Sequence, residues 1–218
     1  MKKIIGAILC ISIGLIIGFV VFGRAKASGK IPTITNNPSP TISKTKFSMA
    51  SAPAESLRGI VTQLSGQVNW QSRIATSSAK LVDTVLIQQG ENIATGDDGL
   101  LSVQFASVSA VMLSADTEVE VIQTLPISVV FNQLYGKAQY SVLADSPVAV
   151  RILNALVNIK SGVVTIEIDG ETGLVMLSQE SGASTIAYNS PEFISKVWDI
   201  DASEGFEYNS VNRKGYFR

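Results

Sequence analysis

The chain has 218 residues, 17 basic and 18 acidic, no histidine and a single cysteine, Cys10. Those absences exclude Ser-His-Asp triads, Cys nucleophiles beyond residue 10, disulfides within the chain and zinc sites of the Cys/His type. The near-zero net charge is unevenly spread. Up to residue 54 every charge is basic (Lys2, Lys3, Arg24, Lys26, Lys30, Lys44, Lys46), and from residue 58 to 190 acids prevail. An acidic body is a poor nucleic-acid binder, because phosphate contacts need clustered Lys and Arg.

Directly behind Met1-Lys2-Lys3, residues 4–23 form an uncharged apolar run, IIGAILCISIGLIIGFVVFG. About 20 such residues rise roughly 30 Å as a helix, the thickness of a bilayer's hydrocarbon core. The run is read as a retained single-pass membrane anchor. It exceeds the 7–15 apolar residues, roughly, of a cleavable signal. The alternative is secretion after cleavage, since Ala25-Lys26-Ala27 has the A-x-A form. A lipoprotein is not indicated, because Cys10 lies mid-run behind Ile8-Leu9. Basic residues flank both ends, so charge bias barely orients the span; a three-residue head, 1–3, is placed inside and the bulk outside. Gly14 and Gly18 make a GxxxG pair, a candidate helix-packing stripe as well as ordinary membrane-helix composition.

Residues 24–56 are rich in Ser, Thr, Pro and Asn and have no apolar periodicity, which describes a linker or stalk. From residue 58 the pattern becomes short β runs punctuated by glycine. Residues 58–64 and 67–71 flank Ser65-Gly66, the spacing of a tight hairpin, with Trp70 packing inward. Residues 82–88 form another run. Leu101, Val103 and Phe105 alternate, and Val111 and Leu113 follow. Val119 and Val121 alternate with Glu118 and Glu120, a half-buried strand with one wet face. Further runs are 127–131, 137–142, 148–152, 156–159, 163–168, 174–177 and 184–188. The runs 163–168 and 174–177 are joined through Asp169-Gly170-Glu171-Thr172-Gly173. The expected fold is all-β, an antiparallel sandwich or solenoid-like roll of short strands over 57–190. Residues 191–218 are set apart by aromatics (Phe193, Trp198, Phe206, Tyr208, Tyr216, Phe217) and basic residues. They read as one further strand with a frayed end, or as a partner-binding tail.

The stretch Gln89-Gly90-Glu91-Asn92-Ile93-Ala94-Thr95-Gly96-Asp97-Asp98-Gly99, leading into the alternating run to Phe105, resembles the signature of FecR-type domains. Residues 113–121 match that family's "T-x-v-x-i" step. Leu134-Tyr135-Gly136 looks like its "L-x-x-G" lead, and Ser161-Gly162 would sit at its glycine turn. The likeness spans about residues 58–168. It implies an extracytoplasmic β module that binds a protein or envelope partner. Gly90, Ile93, Thr95, Gly96 and Gly99 enter as fold markers: the motif specifies a corner, with Ile93 entering the core before it. Two departures stand out. Phe105 is followed by Ala106-Ser107-Val108 in place of a D-G-S turn, so a longer or irregular hairpin is expected. Family members that hold a sigma factor do so through a cytoplasmic region, which Met1-Lys2-Lys3 cannot supply.

No catalytic, cofactor-binding or metal-ligating residue is assigned. Asp97 and Asp98 are the only adjacent acids, and a turn uses such a pair to cap backbone. Asp169-Gly170 lacks the ligand spacing of a calcium loop. The functional expectation is a tethered binding or sensing module without catalysis. The alternative is a self-associating structural protein of the cell envelope.

Overall fold

A computed structural model describes residues 55–218. The apolar run, with Gly14 and Gly18, and nearly all of the linker lie outside the described residues. The described chain is wholly β. In order the strands are β1 (Gly59–Ser65), β2 (Val68–Gln71), β3 (Ala79–Lys80), β4 (Leu86–Ile87), β5 (Glu91–Thr95), β6 (Leu100–Phe105), β7 (Ser109–Leu113), β8 (Glu118–Leu125), β9 (Ser128–Val142), β10 (Val148–Ile152), β11 (Ala155–Asp169), β12 (Leu174–Asn189), β13 (Ser195–Asp201), β14 (Gly205–Asn209) and β15 (Lys214–Phe217). Hydrogen bonds link them into one open, mixed 15-stranded sheet.

Three strands are far longer than the rest, at 15, 15 and 16 residues for β9, β11 and β12. Each changes neighbours halfway. The first half of β9 pairs β8 and β10, the second half β7 and β11. The early part of β11 pairs β10 and its later part β9. The early part of β12 pairs β14 and its later part β13. The sheet thus folds over at these strands. Its halves meet through side chains: Phe131 of early β9 contacts Phe105 of β6 (5.6 Å) and Tyr140 of late β9 (5.4 Å).

The alternation records the fold-over. Buried positions are odd in early β9 (Val129, Phe131, Gln133) and even later (Ala138, Tyr140). They switch likewise from Val157 and Ile159 to Val164 and Ile166, and from Val175 and Leu177 to Ile186 and Tyr188. A strand that bends over a core must keep its inner face inward, and one extra residue at the bend resets the parity. The unpaired residue is Leu134, Lys160 or Glu180, each two positions before a left-handed glycine: Gly136 (φ 83°), Gly162 (φ 79°) or Gly182 (φ 77°). Gly162 and Gly182 face one another across β11 and β12. A Cβ on Gly162 would lie 2.0 Å from the Ser181 carbonyl oxygen.

Five expectations need correction. The sheet is not purely antiparallel: β9 and β10 run parallel, because the chain circles the core once between them and re-enters in the same direction. The strands are not all short, since paired runs such as 127–131 with 137–142 are single bent strands. Ser65-Gly66 does turn the chain, with Gly66 at φ 66°, but β1 pairs β4 and β6 whereas β2 pairs β3 and β5. That turn passes from one half of the sheet to the other and makes no hairpin. The Ala106–Val108 loop is short, with Phe105 directly opposite Ser109 and the Val108 N–H returning to the Phe105 carbonyl at 3.1 Å. Of residues 82–88, only Leu86 and Ile87 pair as strand.

Residues 191–218 continue the same sheet as β13–β15. Phe206 and Tyr208 are fully buried. Aromatic rings close this end of the core: Trp198 packs edge-on against Phe217 (5.9 Å), Phe217 against Phe206 (5.3 Å), and Tyr188 stacks on Tyr208 (4.7 Å). The β11–β12 hairpin is capped by Asp169, whose carboxylate accepts from the Glu171 N–H (2.9 Å) and the Thr172 hydroxyl. These bonds, the Thr172 hydroxyl first, hold its carboxyl below the usual aspartate range. The cap is therefore in force above the ordinary aspartate pKa and is lost as pH falls through the lowered one.

The bend predicts its own sensitivity. Gly162→Ala lowers stability by at least about 2 kcal/mol, since alanine is strained at positive φ and also meets carbonyl backbone. Gly170→Ala, whose Cβ would sit 3.4 Å from Tyr135, changes it by less than about 0.5 kcal/mol. Urea unfolding midpoints of the two variants check this.

Candidate functional site

The sequence-marked residues gather at the line where the chain passes between the halves of the sheet. Ile93 is buried on β5. Gly90 precedes β5, and its N–H donates to the Val121 carbonyl at 2.6 Å. Thr95-Gly96-Asp97-Asp98-Gly99 carries the chain from β5 to β6. The Gly96 N–H donates to Gln67 O (2.8 Å), its carbonyl accepts from Asp116 (3.0 Å), and the Gln67 N–H donates to Asp98 Oδ1 (2.8 Å). A Cβ on Gly99 would lie 2.5 Å from the Gln67 carbonyl oxygen.

Thr95 is the pivot. Its hydroxyl donates to Ser114 O (2.6 Å) and accepts the Thr117 N–H (2.9 Å). The Thr117 hydroxyl in turn accepts the Lys137 N–H at 2.9 Å, next to Gly136. Beyond it the fully buried Gln133 donates to the Gly136 (2.8 Å) and Ile166 (3.1 Å) carbonyls and accepts from the Tyr140 hydroxyl (3.1 Å). Burial pushes the Tyr140 phenol well above its ordinary pKa. On the opposite side of the sheet Gln179 repeats the device, donating to Ser181 O at 2.6 Å, three residues before Gly182. Apart from the Tyr140–Gln133 side-chain bond and the unpartnered Gln179 Oε1, these groups are spent on backbone.

Among the described residues no three of His, Cys, Asp and Glu lie close enough to hold a metal ion. Asp97 and Asp98 are in the corner, with Asp98 capping Gln67. The most buried carboxylate, Glu91, accepts from the Trp70 indole (2.9 Å) and the Gln88 N–H (2.8 Å). Half-buried Trp70 packs against the core through that tie.

What remains open to solvent is the last edge of the sheet. β13 is exposed at every residue but Ile200 and pairs only with β12. Phe193, Ile194, Val197 and Trp198 are exposed on and beside it. The Trp198 indole N–H donates to the Tyr188 hydroxyl at 3.2 Å, and the Arg213 guanidinium stacks on Phe193 at 5.2 Å. Lys160 bonds Asp199 at 2.6 Å and, with Thr185, holds that carboxyl below the usual range. Beside the strand lies an open hollow of about 470 Å³, lined by Arg151, Leu153, Leu156, Asn189, Ser195 and Lys196 among others. Its rim is fixed by Asn154, which accepts from the Tyr208 hydroxyl (2.6 Å) and donates to Ser210 O (3.1 Å).

This fold has been seen before. It is similar to two crystal structures of an anti-sigma factor candidate from Parabacteroides distasonis, each with a TM-score of 0.50 at 20% and 19% identity. Each match covers 58% of this chain and 58% of the other, so the chain spans well under two thirds of those proteins' length. At that identity the likeness concerns the fold. No family model and no curated protein matches the chain.

Sequence reasoning singled out the corner motif and missed the open edge. Residues 198–200 read as a strand, but that β13 lacks a second neighbour depends on pairings fixed far away in the chain. The exposed Val197 and Trp198 are the only local signal. For the corner, Thr95→Val removes the hydroxyl and strands the Thr117 N–H and Ser114 carbonyl, an expected loss of about 1–3 kcal/mol. Thr95→Ser keeps both bonds and recovers most of it. Thermal unfolding of the pair tests the assignment.

Proposed function

We propose that this protein is a membrane-tethered, extracytoplasmic binding and sensing module of the FecR kind that performs no catalysis. The observation that carries the binding role is the open edge at β13, where a seven-residue strand and its flanking aromatics stand in solvent. Strand edges recruit extended partners through main-chain bonds, and neighbouring apolar side chains supply selectivity. The tethering rests on the apolar run at residues 4–23 and the polar stalk behind it. The FecR-like corner motif and the anti-sigma candidates of similar fold support a place in envelope-to-cytoplasm signalling, with this chain supplying the outer module. The same edge favours a second reading, a self-associating envelope component.

Trypsin added to intact spheroplasts tests the arrangement. Cleavage at Lys26, Lys30, Lys44 or Lys46 should release a folded head into the medium and leave residues 1–23 in the membrane fraction. A head that stays shielded until the membrane is broken, or a mature product starting at Ser28, contradicts it. Cross-linking of the tethered chain in its envelope should give a discrete adduct that an unrelated tethered β domain does not.

A further inference from the structure

The two ends of the sheet are unequal. At one end β3 and β4 are two residues each, too short to template another strand. At the other, β15 ends the sheet with four residues and β13, which branches from β12, offers seven. Natural edges are blunted by proline, bulges, brevity or charge. β13 contains no proline and no register shift. Of its charges, Lys196, Asp199 and Asp201, the middle one is already taken by Lys160 and Thr185. Val197 is 63% exposed and Trp198 39%.

We propose that β13 pairs antiparallel with β13 of a second copy of this chain, centred on Val197. A two-fold axis normal to the sheet keeps every side chain on its own face. Residues opposite one another then share parity, and the pairing must centre on one residue. Centring on Asp199 sets two carboxylates against each other. Centring on Trp198 opposes the two indoles but sets Val197 against the partner's Asp199, twice. Centring on Val197 sets Val197 against the partner's Val197, Lys196 against the partner's Trp198 and Ser195 against the partner's Asp199. That register combines an apolar pair with an ammonium beside an indole face, opposes no like charges and sets no apolar side chain against a carboxylate. The surface is self-complementary, as a closed dimer requires. The inference concerns the folded residues alone; it fills the edge that an extended partner would use and so deepens the self-associating reading of that edge.

The test uses the full-length chain in detergent, in a Cys10→Ser background. Val197→Cys should give a disulfide-linked dimer on mild oxidation, because directly opposed Cα atoms lie about 4.5–5.5 Å apart. Lys80→Cys, exposed on β3 at the other end, should not. Val197→Lys puts two ammonium groups in opposition and should weaken dimerisation by at least about tenfold, with an unchanged unfolding midpoint showing that the fold survives. Sedimentation reads both. A monomeric parent chain overturns the proposal. So does a dimer that survives Val197→Lys and fails to link at position 197, as pairing through residues 4–23 would. A dimer broken by Val197→Lys but not linked at 197 overturns the register.

Discussion

A strand that turns over a buried core must satisfy the backbone groups it withdraws from the ladder. Each one left unpaired costs about 1–3 kcal/mol, against a total stability of about 5–15 kcal/mol for an ordinary domain. A sheet folded at several places cannot leave those groups to chance. This protein answers with buried side chains placed at the bends. Thr95 and Thr117 clamp the corners before β6 and β8, Gln133 serves the bend at Gly136, and Gln179 the bend at Gly182. The hydrophobic core of valines, isoleucines and aromatic rings supplies the driving force. These polar clamps decide where the sheet is allowed to fold.

That constraint explains how the most recognisable motif of the chain spends its polar groups. Gly96, Gly99, Thr95 and Asp98 have their hydrogen-bonding capacity committed to neighbouring backbone. The proposed interaction lies where the winding stops. At the first end the edge strands are too short to recruit anything. At the last end Trp198, Phe206 and Phe217 plug the core between the two halves of the sheet and leave a full-length edge outside. The roll ends in an exposed strand edge at β13, on which the proposed binding role rests.

The strand faces were legible because burial follows a period of two: Leu101, Val103 and Phe105, or Val119 and Val121, read directly as inward positions. The bends were not. A glycine together with a switch in parity looks like the end of one strand and the start of the next, so β9, β11 and β12 were each seen as two. Ser65-Gly66 satisfied the spacing of a hairpin, yet the flanking strands find partners in different halves of the sheet, which only long-range pairing decides. Phe206 and Tyr208 alternate as core residues should. The surrounding aromatic and basic residues gave the segment the look of a tail. The open edge was invisible for a related reason, since a strand's lack of a neighbour is not encoded in the strand.

Amide hydrogen exchange at the corners tests the central claim most directly. The N–H groups of Gly96 and Thr117 lie beside strand ends and that of Lys137 at the bend within β9, places where ordinary chains exchange by local opening. If the clamps hold the fold together, these amides exchange only on global unfolding, as slowly as those of Val103 and Phe131 in the core strands. Exchange orders of magnitude faster than the core, with a weak dependence on denaturant, would show that the corners open independently and that the core alone shapes the sheet.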